Sequence, residues 1–446
     1  MKKRKPKTIF IILDGIPSFM FNSMYDKNEL PNIKKFFKGG MRAKNMITMF
    51  PTYTSTCVPM ITFGLSAGQS NIVGQGWYDK KRKEFTDITR FPHWFNDVDK
   101  YVKEKSLFEQ VPGKSIVYAS QFARGADTYF PKLNVLFAFE WVNYGIPIER
   151  LGMKKLKFDL KKYDNILFWS ITADHTMHPN GIEPAAKIIK QFDKDLKKFF
   201  NSLSEEDTVF IFSDHGMEEV NKYSNFYDLL SDNGFHVSKK FEKKNDVIAY
   251  FSIITFGYIY VQNVKQRDKI IDIFKDHPGV EFIMYKEKLR TKLKTKNKII
   301  IQKKNDKAIL VGDSKKASYK PIDKDILRYK LPKDKEGKLM DIYDWKKYTE
   351  KKQYPMAPIR ITDLFQSYCC GDIVFALGNN YGCPDFIWRY KYTHGNFRRK
   401  NMLAFALAKG PKIKPKNYDY ILIEDLRSMI EHHYFNKKIP KKSIIK

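Results

Sequence analysis

Cysteine is scarce in this chain of 446 residues, which contains only Cys57, Cys369, Cys370 and Cys383. Four thiols in so long a chain do not make a disulfide scaffold, and none of them forms the CxxC pair of a zinc ribbon or a redox site. This usage is typical of proteins in a reducing compartment. The sequence therefore predicts a cytoplasmic protein.

Long apolar runs are also missing, since no run reaches the roughly 18 residues that a transmembrane helix needs. The N-terminus, MKKRKPKTIFIILDG, has the basic start and short apolar stretch of a signal peptide. However, the stretch ends at Asp14-Gly15 with no small-residue cleavage site after it. We therefore interpret it as the first strand of the fold, and we expect neither a signal peptide nor a membrane span.

Acidic residues are few relative to basic ones, 50 against 81, and the net charge is +31. A field of this sign favours anionic partners, which include phosphate esters, nucleic acid and acidic membrane surfaces. Charge alone does not choose among these partners, and a lysine-biased composition would give the same total. Hydrophobic residues at 43% and aromatic residues at 15% exclude a disordered chain and predict a substantial core.

Three short apolar runs end in the same way. They are TIFIIL before Asp14, NILFWSITA before Asp174 and TVFIFS before Asp214. Unbroken β-branched and aromatic runs are typical of parallel strands buried on both faces. Ligands of open parallel sheets bind beyond the carboxyl ends of the strands, although aspartate also ends strands as a simple turn former. The sequence predicts an α/β fold with a doubly wound, mostly parallel sheet whose aspartates lie along one edge.

The character of the chain changes between residues 221 and 390. Lysine-rich runs there alternate with short strand candidates at 256–262, 280–285, 298–302 and 308–312. We predict that residues 1–220 form the first part of a catalytic core and residues 391–446 its last part. Residues 221–390 would form an inserted β-rich or α+β cap subdomain that includes some core strands.

Four of the nine histidines lie in sequence contexts that suit metal binding. His175 and His178 follow Asp174, His215 follows Asp214, and His394 lies in YTHGNF. Imidazole and carboxylate together suit Zn²⁺, with positions left open for a substrate. His175 remains an alternative to His178 or a group that supports it. The other histidines are expected on the surface or in packing contacts: His93, His236, His277, His432 and His433.

The segment at residues 49–79, MFPTYTSTCVPMITFGLSAGQSNIVGQGWYD, adds a nucleophile motif. It places Thr54 in F-P-T-x-T, ten residues before Gly64, and continues with NIVGQGWYD. Further motifs follow in order: D-x-x-x-H at residues 174–178, SDHGM at 213–217, and His394-Gly395 with a later Gly-Pro. Together these motifs resemble the alkaline phosphatase superfamily, specifically its type I phosphodiesterase/nucleotide pyrophosphatase family, over about residues 7–432.

The resemblance implies two divalent metal ions per chain, usually zinc, and a nucleophilic threonine. It implies one ion held by Asp174, His178 and His394 and a second held by Asp14, Asp214 and His215, with the Thr54 hydroxyl at the second ion. Gln75 stands where the family has an asparagine that donates to a phosphoryl oxygen. The implied course is a phosphothreonine intermediate, since metal coordination activates a hydroxyl that is otherwise a poor nucleophile.

The function that follows is a metal-dependent phosphodiesterase or pyrophosphatase acting on anionic phosphate esters, with nucleotides among the candidate substrates. One alternative keeps the same two-metal site but acts as a phosphomonoesterase or a phospho-group transferase. Another class of protein, a basic nucleic-acid-binding or anionic-lipid-binding protein, would also account for the charge. No recognised nucleic-acid motif favours that class.

Overall fold

The computed structural model describes residues 4–88, 98–120, 122–129, 145–251, 255–288, 298–384 and 390–446. The strands in chain order are β1 (Thr8–Leu13), β2 (Met41–Ile47), β3 (Gly76–Asp79), β4 (Glu84–Asp87), β5 (Ser115–Tyr118), β6 (Thr128–Tyr129), β7 (Asn165–Ser170), β8 (Thr208–Phe212), β9 (Glu218–Glu219), β10 (Lys222–Tyr223), β11 (His236–Val237), β12 (Asp246–Tyr250), β13 (Phe256–Tyr260), β14 (Val280–Lys286), β15 (Lys298–Lys303), β16 (Asp306–Gly312), β17 (Lys316–Pro321), β18 (Met340–Asp341), β19 (Ile373–Leu377), β20 (Tyr381–Gly382), β21 (Tyr392–Thr393), β22 (Leu403–Lys409) and β23 (Asn417–Leu422). The α-helices are α1 (Ser18–Asp26), α2 (Pro31–Phe36), α3 (Thr54–Thr62), α4 (Ala67–Ser70), α5 (Gly145–Asp159), α6 (Thr172–Asn180), α7 (Ile182–Phe200), α8 (Phe226–Asp232), α9 (Val264–Lys275), α10 (Ile342–Thr349), α11 (Ala357–Leu364), α12 (Arg399–Met402) and α13 (Ile423–Phe435).

Eight strands form the first sheet, in the order β23-β2-β22-β8-β1-β7-β5-β6. β1 lies at its centre and pairs in parallel with both β7 and β8. These are the three strands that the apolar runs predicted. β22 is antiparallel to its neighbours β2 and β8, whereas the other pairings of this sheet are parallel. The sheet is therefore mostly parallel. The predicted fold class is confirmed, with additional antiparallel sheets beside this one.

The first sheet is covered on both faces, as its uninterrupted apolar strands require. Along β1, Phe10 and Ile12 pack into one hydrophobic cluster, whereas Ile9 and Ile11 pack into another. The first cluster includes side chains of α3 and α13, and the second includes side chains of α1, α2, α5 and α7. Helix α7 is amphipathic and places Ile189, Phe192 and Leu196 in the second cluster.

Nine strands form the second sheet, in the order β11-β12-β13-β19-β14-β15-β16-β17-β18. All of its pairings are antiparallel except the short β11–β12 ladder. The four strand candidates of the lysine-rich region are β13, β14, β15 and β16. This sheet therefore lies within the segment 221–390. The domain boundaries at residues 220 and 390 stay a prediction.

Two further predictions concern the cellular compartment. Among the described residues, no helix combines the length and apolar character needed to cross a membrane. All four cysteines are free thiols and are buried. A cytoplasmic location stays a prediction.

Candidate active site

Three buried aspartates meet at the carboxyl ends of the central strands of the first sheet. Asp14 directly follows β1, Asp174 lies in the first turn of α6 after β7, and Asp214 follows β8. Their exposed fractions are 4%, 6% and 1%. Because β7, β1 and β8 are parallel neighbours, their ends bring the three carboxylates together. The prediction made from parallel-strand geometry describes this edge correctly.

Imidazole groups complete the cluster. The Nε2 atom of His215 lies 3.4 Å from Asp14 Oδ1 and 3.6 Å from Asp214 Oδ2. The Nε2 atom of His178 lies 3.4 Å from Asp174 Oδ2. Two sets of side chains could each hold a metal ion, because the ligand atoms within each set all lie within 4.8 Å of one another. One set is Asp174, His215 and His394, and the other is Asp14, Asp214 and His215. The assignment of His178 to one of two separate ligand sets stays a prediction.

The second ring nitrogen of each of these histidines is held by a backbone carbonyl. The Nδ1 contacts are His178 to Tyr392 O at 2.8 Å, His215 to Gly216 O at 3.2 Å and His394 to Thr52 O at 2.7 Å. A carbonyl oxygen only accepts, so each Nδ1 must carry the hydrogen and donate it. The Nε2 lone pair is therefore the one available, and metal-binding histidines are commonly fixed in this way.

The three carboxylates are buried close to one another, so positive charge nearby stabilises their ionised forms. Burial, together with the charges of Asp214 and Asp174, raises the pKa of Asp14 well above its usual value. Burial also acts to raise the pKa of Asp174, but the neighbouring His178, His394 and His215 outweigh it and lower that pKa. Within the described structure, Asp174 Oδ1 and Asp214 Oδ2 are buried without a hydrogen-bond partner. Unpartnered carboxylate oxygens beside imidazole nitrogens form a donor set that fits divalent cations such as Zn²⁺.

Gly15 allows Asp14 and Asp174 to approach each other. Its φ is +63°, and a Cβ at this position would lie 2.0 Å from Asp174 Oδ1. A side chain here would both strain the backbone and displace the carboxylate. The Gly15 N–H donates to Asp214 Oδ1 at 3.2 Å, so the same turn also orients the third aspartate.

Thr54 is the first residue of α3, and its hydroxyl faces the cluster. Thr54 Oγ1 donates to Asp14 Oδ1 at 3.1 Å and lies 3.4 Å from His215 Nε2. It also stands at a helix N-terminus, where unpaired backbone N–H groups favour anions.

The neighbouring hydroxyls are engaged elsewhere. Ser55 Oγ donates to Gly74 O at 2.9 Å, and Thr56 Oγ1 donates to Tyr53 O at 3.0 Å. Thr52 Oγ1 donates to Asn396 O at 3.0 Å and accepts from the Gly395 N–H at 2.8 Å. These backbone contacts distinguish Thr54 from the three hydroxyls that could compete with it.

Gln75 lies in the turn before β3 and is half-buried. Its backbone oxygen accepts from the Ile88 N–H at 2.8 Å. The preceding Gly74 is tied to α3 by Ser55, and Tyr258 OH donates to Val73 O at 2.7 Å. These bonds hold the Gln75 turn against the start of α3. Its role as a phosphate donor stays a prediction.

Several residues that support the cluster were not predicted from the sequence. The Thr255 hydroxyl donates to His394 O at 3.0 Å and accepts from the Asn396 N–H at 3.3 Å. Asn396 Nδ2 in turn donates to buried Glu218 Oε1 at 2.6 Å. The closeness of Asn396 to His394 in sequence was a usable signal. Thr255, 139 residues away from His394, carried no such signal.

Glu149 of α5 is the second unpredicted support. Its carboxylate accepts from Ser170 Oγ at 3.0 Å and from the N–H groups of Ile171 at 2.7 Å and Thr172 at 2.9 Å. These bonds fix the junction between β7 and α6. The orientation of Asp174 in the first turn of α6 depends on that junction.

The remaining histidines lie apart from the cluster. His236 bonds to Asp246 in the second sheet, His277 packs on Phe226, and His432 and His433 lie in α13. His93 lies outside the described residues. His175 is one residue after Asp174, whereas His178 is one helical turn further on, so His178 shares a helix face with the carboxylate and His175 does not.

The fold is similar to solved structures of ectonucleotide pyrophosphatase/phosphodiesterase 5. The murine protein gives a TM-score of 0.64 at 14% identity, covering 97% of this chain and 96% of that chain. An inactive threonine-to-alanine variant of the murine protein, in complex with AMP, gives 0.64 at 14% identity over 98% and 96%. The human protein gives 0.63 at 14% identity over 97% and 96%. At this identity the likeness concerns the fold alone, and no curated protein sequence matches the chain.

A family model described as type I phosphodiesterase / nucleotide pyrophosphatase matches residues 8–337. This span is well over half of the chain and includes Asp14, Thr54, Asp174 and Asp214, while His394 lies beyond it. The resemblance predicted from the motifs is confirmed, and with it the prediction of a phosphoric ester hydrolase. The chain belongs to the type I phosphodiesterase/nucleotide pyrophosphatase family.

Proposed function

We propose that this chain hydrolyses phosphodiester or pyrophosphate bonds through a covalent intermediate on Thr54. The observation that carries the proposal is the orientation of its hydroxyl, which lies toward Asp14 and His215 while its hydroxyl neighbours bind backbone groups. In the murine protein, a threonine-to-alanine variant is inactive, which is consistent with a threonine nucleophile.

The residues proposed to hold two divalent ions, zinc by preference, are Asp14, Thr54, Asp174, His178, Asp214, His215 and His394. Bound there, such ions would polarise phosphoryl oxygens and lower the pKa of a coordinated hydroxyl. The buried, unpartnered oxygens of Asp174 and Asp214 support this assignment because leaving them uncompensated is costly.

The chain's own residues would bind the substrate and carry the bond exchange. The N–H groups at the start of α3 and the Gln75 amide would hold the non-bridging phosphate oxygens. The Thr54 hydroxyl gives its proton to solvent, Oγ1 bonds to phosphorus as the bond to the leaving oxygen breaks, and that oxygen departs with a proton from solvent. Water then cleaves the Oγ1–phosphorus bond and regenerates the threonine hydroxyl. The net charge of +31 would steer anionic esters toward the protein.

Substrate class is tested with three chromogenic esters. A phosphodiesterase hydrolyses bis-p-nitrophenyl phosphate and the p-nitrophenyl ester of thymidine 5′-phosphate with much higher kcat/KM than p-nitrophenyl phosphate. Preference for the nucleotide ester would support nucleotide substrates. Preference for the monoester would favour the alternative, a phosphomonoesterase with the same site. Hydrolysis that survives complete chelation would contradict metal dependence.

A further inference from the structure

The outward face of α5 carries unusually exposed apolar side chains. Among the exposed large apolar residues of the described chain, Leu151 at 62% and Phe158 at 58% have the highest exposed fractions. They are seven residues apart on one helix, so they lie on the same face about 10 Å from each other. Isolated exposed apolar residues are common, but two on one helix face form a small patch.

Lysines surround this patch. Lys154 and Lys157 on α5 and Lys161 and Lys162 just beyond it are exposed. The Lys157 ammonium lies 4.7 Å from the centre of the Phe158 ring. The patch therefore combines two apolar side chains with several neighbouring lysine side chains.

The two acidic residues of α5 do not offset this charge, because both are buried. Glu149 supports the junction between β7 and α6, and Asp159 pairs with Lys155 at 2.6 Å. The exposed side of the helix is thus uniformly basic around its apolar centre.

The neighbouring helix α7 extends the basic surface. Arg150 of α5 pairs with Asp195 of α7 at 2.9 Å, which joins the two helices side by side. α7 exposes Lys187, Lys194, Lys197 and Lys198. Of its three acidic residues, Asp193 is buried, Asp195 pairs with Arg150, and only Glu183 in the first turn is exposed.

We propose that this face, centred on Leu151 and Phe158, docks on an anionic lipid membrane surface. Apolar side chains between lysines are the pattern of helices that lie in the membrane interface, where the former enter the headgroup region and the latter bind anionic lipid. Nucleic acid would satisfy the lysines but leave Leu151 and Phe158 in water. The N-terminal end of α5 lies at the catalytic edge of the first sheet, through Glu149, so docking would keep that edge beside the membrane.

The test measures binding of the full chain to phosphatidylcholine vesicles with and without phosphatidylserine, by co-sedimentation. We expect binding only with phosphatidylserine. Leu151→Gln with Phe158→Gln should weaken it at least about tenfold, and so should Lys154→Gln, Lys157→Gln and Lys161→Gln together. Hydrolytic activity and melting temperature should stay unchanged in both variants, which separates this proposal from the proposed function.

Two matched controls carry the same chemical changes elsewhere. Ile322→Gln with Leu339→Gln alters another exposed apolar pair, and Lys239→Gln, Lys240→Gln and Lys244→Gln remove the same charge from another surface. Both should bind vesicles within about twofold of the unchanged protein. Absence of vesicle binding, or equal losses in the lysine variant and its control, would overturn the proposal. The proposal would also be overturned if a single-stranded oligonucleotide displaced the vesicles and bound equally well to the variant changed at Leu151 and Phe158. That result would favour nucleic acid.

Discussion

The two large sheets contribute to the site in different ways. Strands of the first sheet deliver Asp14, Asp174 and Asp214 directly, since each follows a central strand. The described part of the second sheet contributes no carboxylate or imidazole to the cluster. It contributes instead through Thr255, directly before β13, which binds the backbone of His394. The three carboxylates thus come from the first sheet, while the placement of one imidazole, that of His394, also depends on the second.

The comparison also separates two kinds of strand. Strands β1, β7 and β8 are parallel and buried on both faces, and their ends converge by geometry. The second sheet is mostly antiparallel, so neighbouring strand ends point to opposite edges. A parallel arrangement collects side chains at one edge, and this explains why the clustering of the three aspartates was predictable.

The largest expected effect is that of changing Thr54, the proposed nucleophile beside the first sheet. Thr54→Ala should lower kcat by about 10³-fold or more yet retain bound metal, because the proposed Asp and His ligands remain. Thr54→Ser should keep partial activity, since its hydroxyl can occupy the same position. Steady-state kinetics, elemental analysis and mass spectrometry of trapped enzyme check this. An adduct on Ser55 or Thr56 would show that another hydroxyl reacts.

A similarly severe effect is expected when a carboxylate of the first sheet is lost. Asp214→Ala should lose metal as well as activity, with metal affinity reduced about 100-fold or more. The control is Asp193→Ala, another buried carboxylate, which should lower stability without changing metal content. Equal metal content in the Asp214 variant and the unchanged protein would argue against its role as a ligand.

A smaller effect should reveal the contribution of the second sheet. Thr255→Val keeps the shape of the side chain but removes its bonds to His394 and Asn396, and should weaken metal affinity roughly tenfold. The backbone N–H of Thr255 also donates to His394 O at 3.1 Å and limits the loss. Thr349→Val is the matched control, since Thr349 is equally buried and bonds only to local backbone groups. Identical metal affinities for the two variants would show that Thr255, and with it the second sheet, does not contribute to metal binding.

The smallest expected effect concerns the contact between α11, which lies within residues 221–390, and α4, which lies within residues 1–220. Asp363 of α11 accepts from Ser66 Oγ and from the Gly68 N–H, and burial raises its pKa to about 6. The folded state therefore holds this proton more tightly than the unfolded state. Its stabilising contribution is complete below pH 3.8 and is lost as the pH rises through 6, by roughly 3 kcal/mol at most.

Urea unfolding between pH 4 and pH 7 measures this contribution. Asp363→Asn should flatten the dependence of the unfolding free energy on pH over that interval, because the amide does not titrate. A variant with the same slope as the unchanged protein would assign the dependence to other groups.

The sequence could predict the parts of this molecule that depend on local pattern. Unbroken apolar runs located β1, β7 and β8, and the spacing between Asp174 and His178 corresponds to one helical turn. Long-range pairing could not be predicted in the same way. β19 lies between β13 and β14 although it follows them by many residues, and nothing in its composition specifies these neighbours. Likewise, nothing in the sequence around Glu149 distinguishes it from other helix glutamates, and only the fold places its carboxylate at the start of α6.

His215 belongs to both sets of converging ligand atoms, and this has a consequence for metal loading. Its Nδ1 is committed to a carbonyl, so only the Nε2 lone pair is available. One lone pair coordinates one cation, and the two sets cannot both be complete with the side chains as they stand. Once His215 serves the position beside Asp14 and Asp214, the position beside Asp174 needs another imidazole, and His178 already lies against that carboxylate. His178 would thus let the two proposed metal positions be filled at the same time, with His215 serving only one of them.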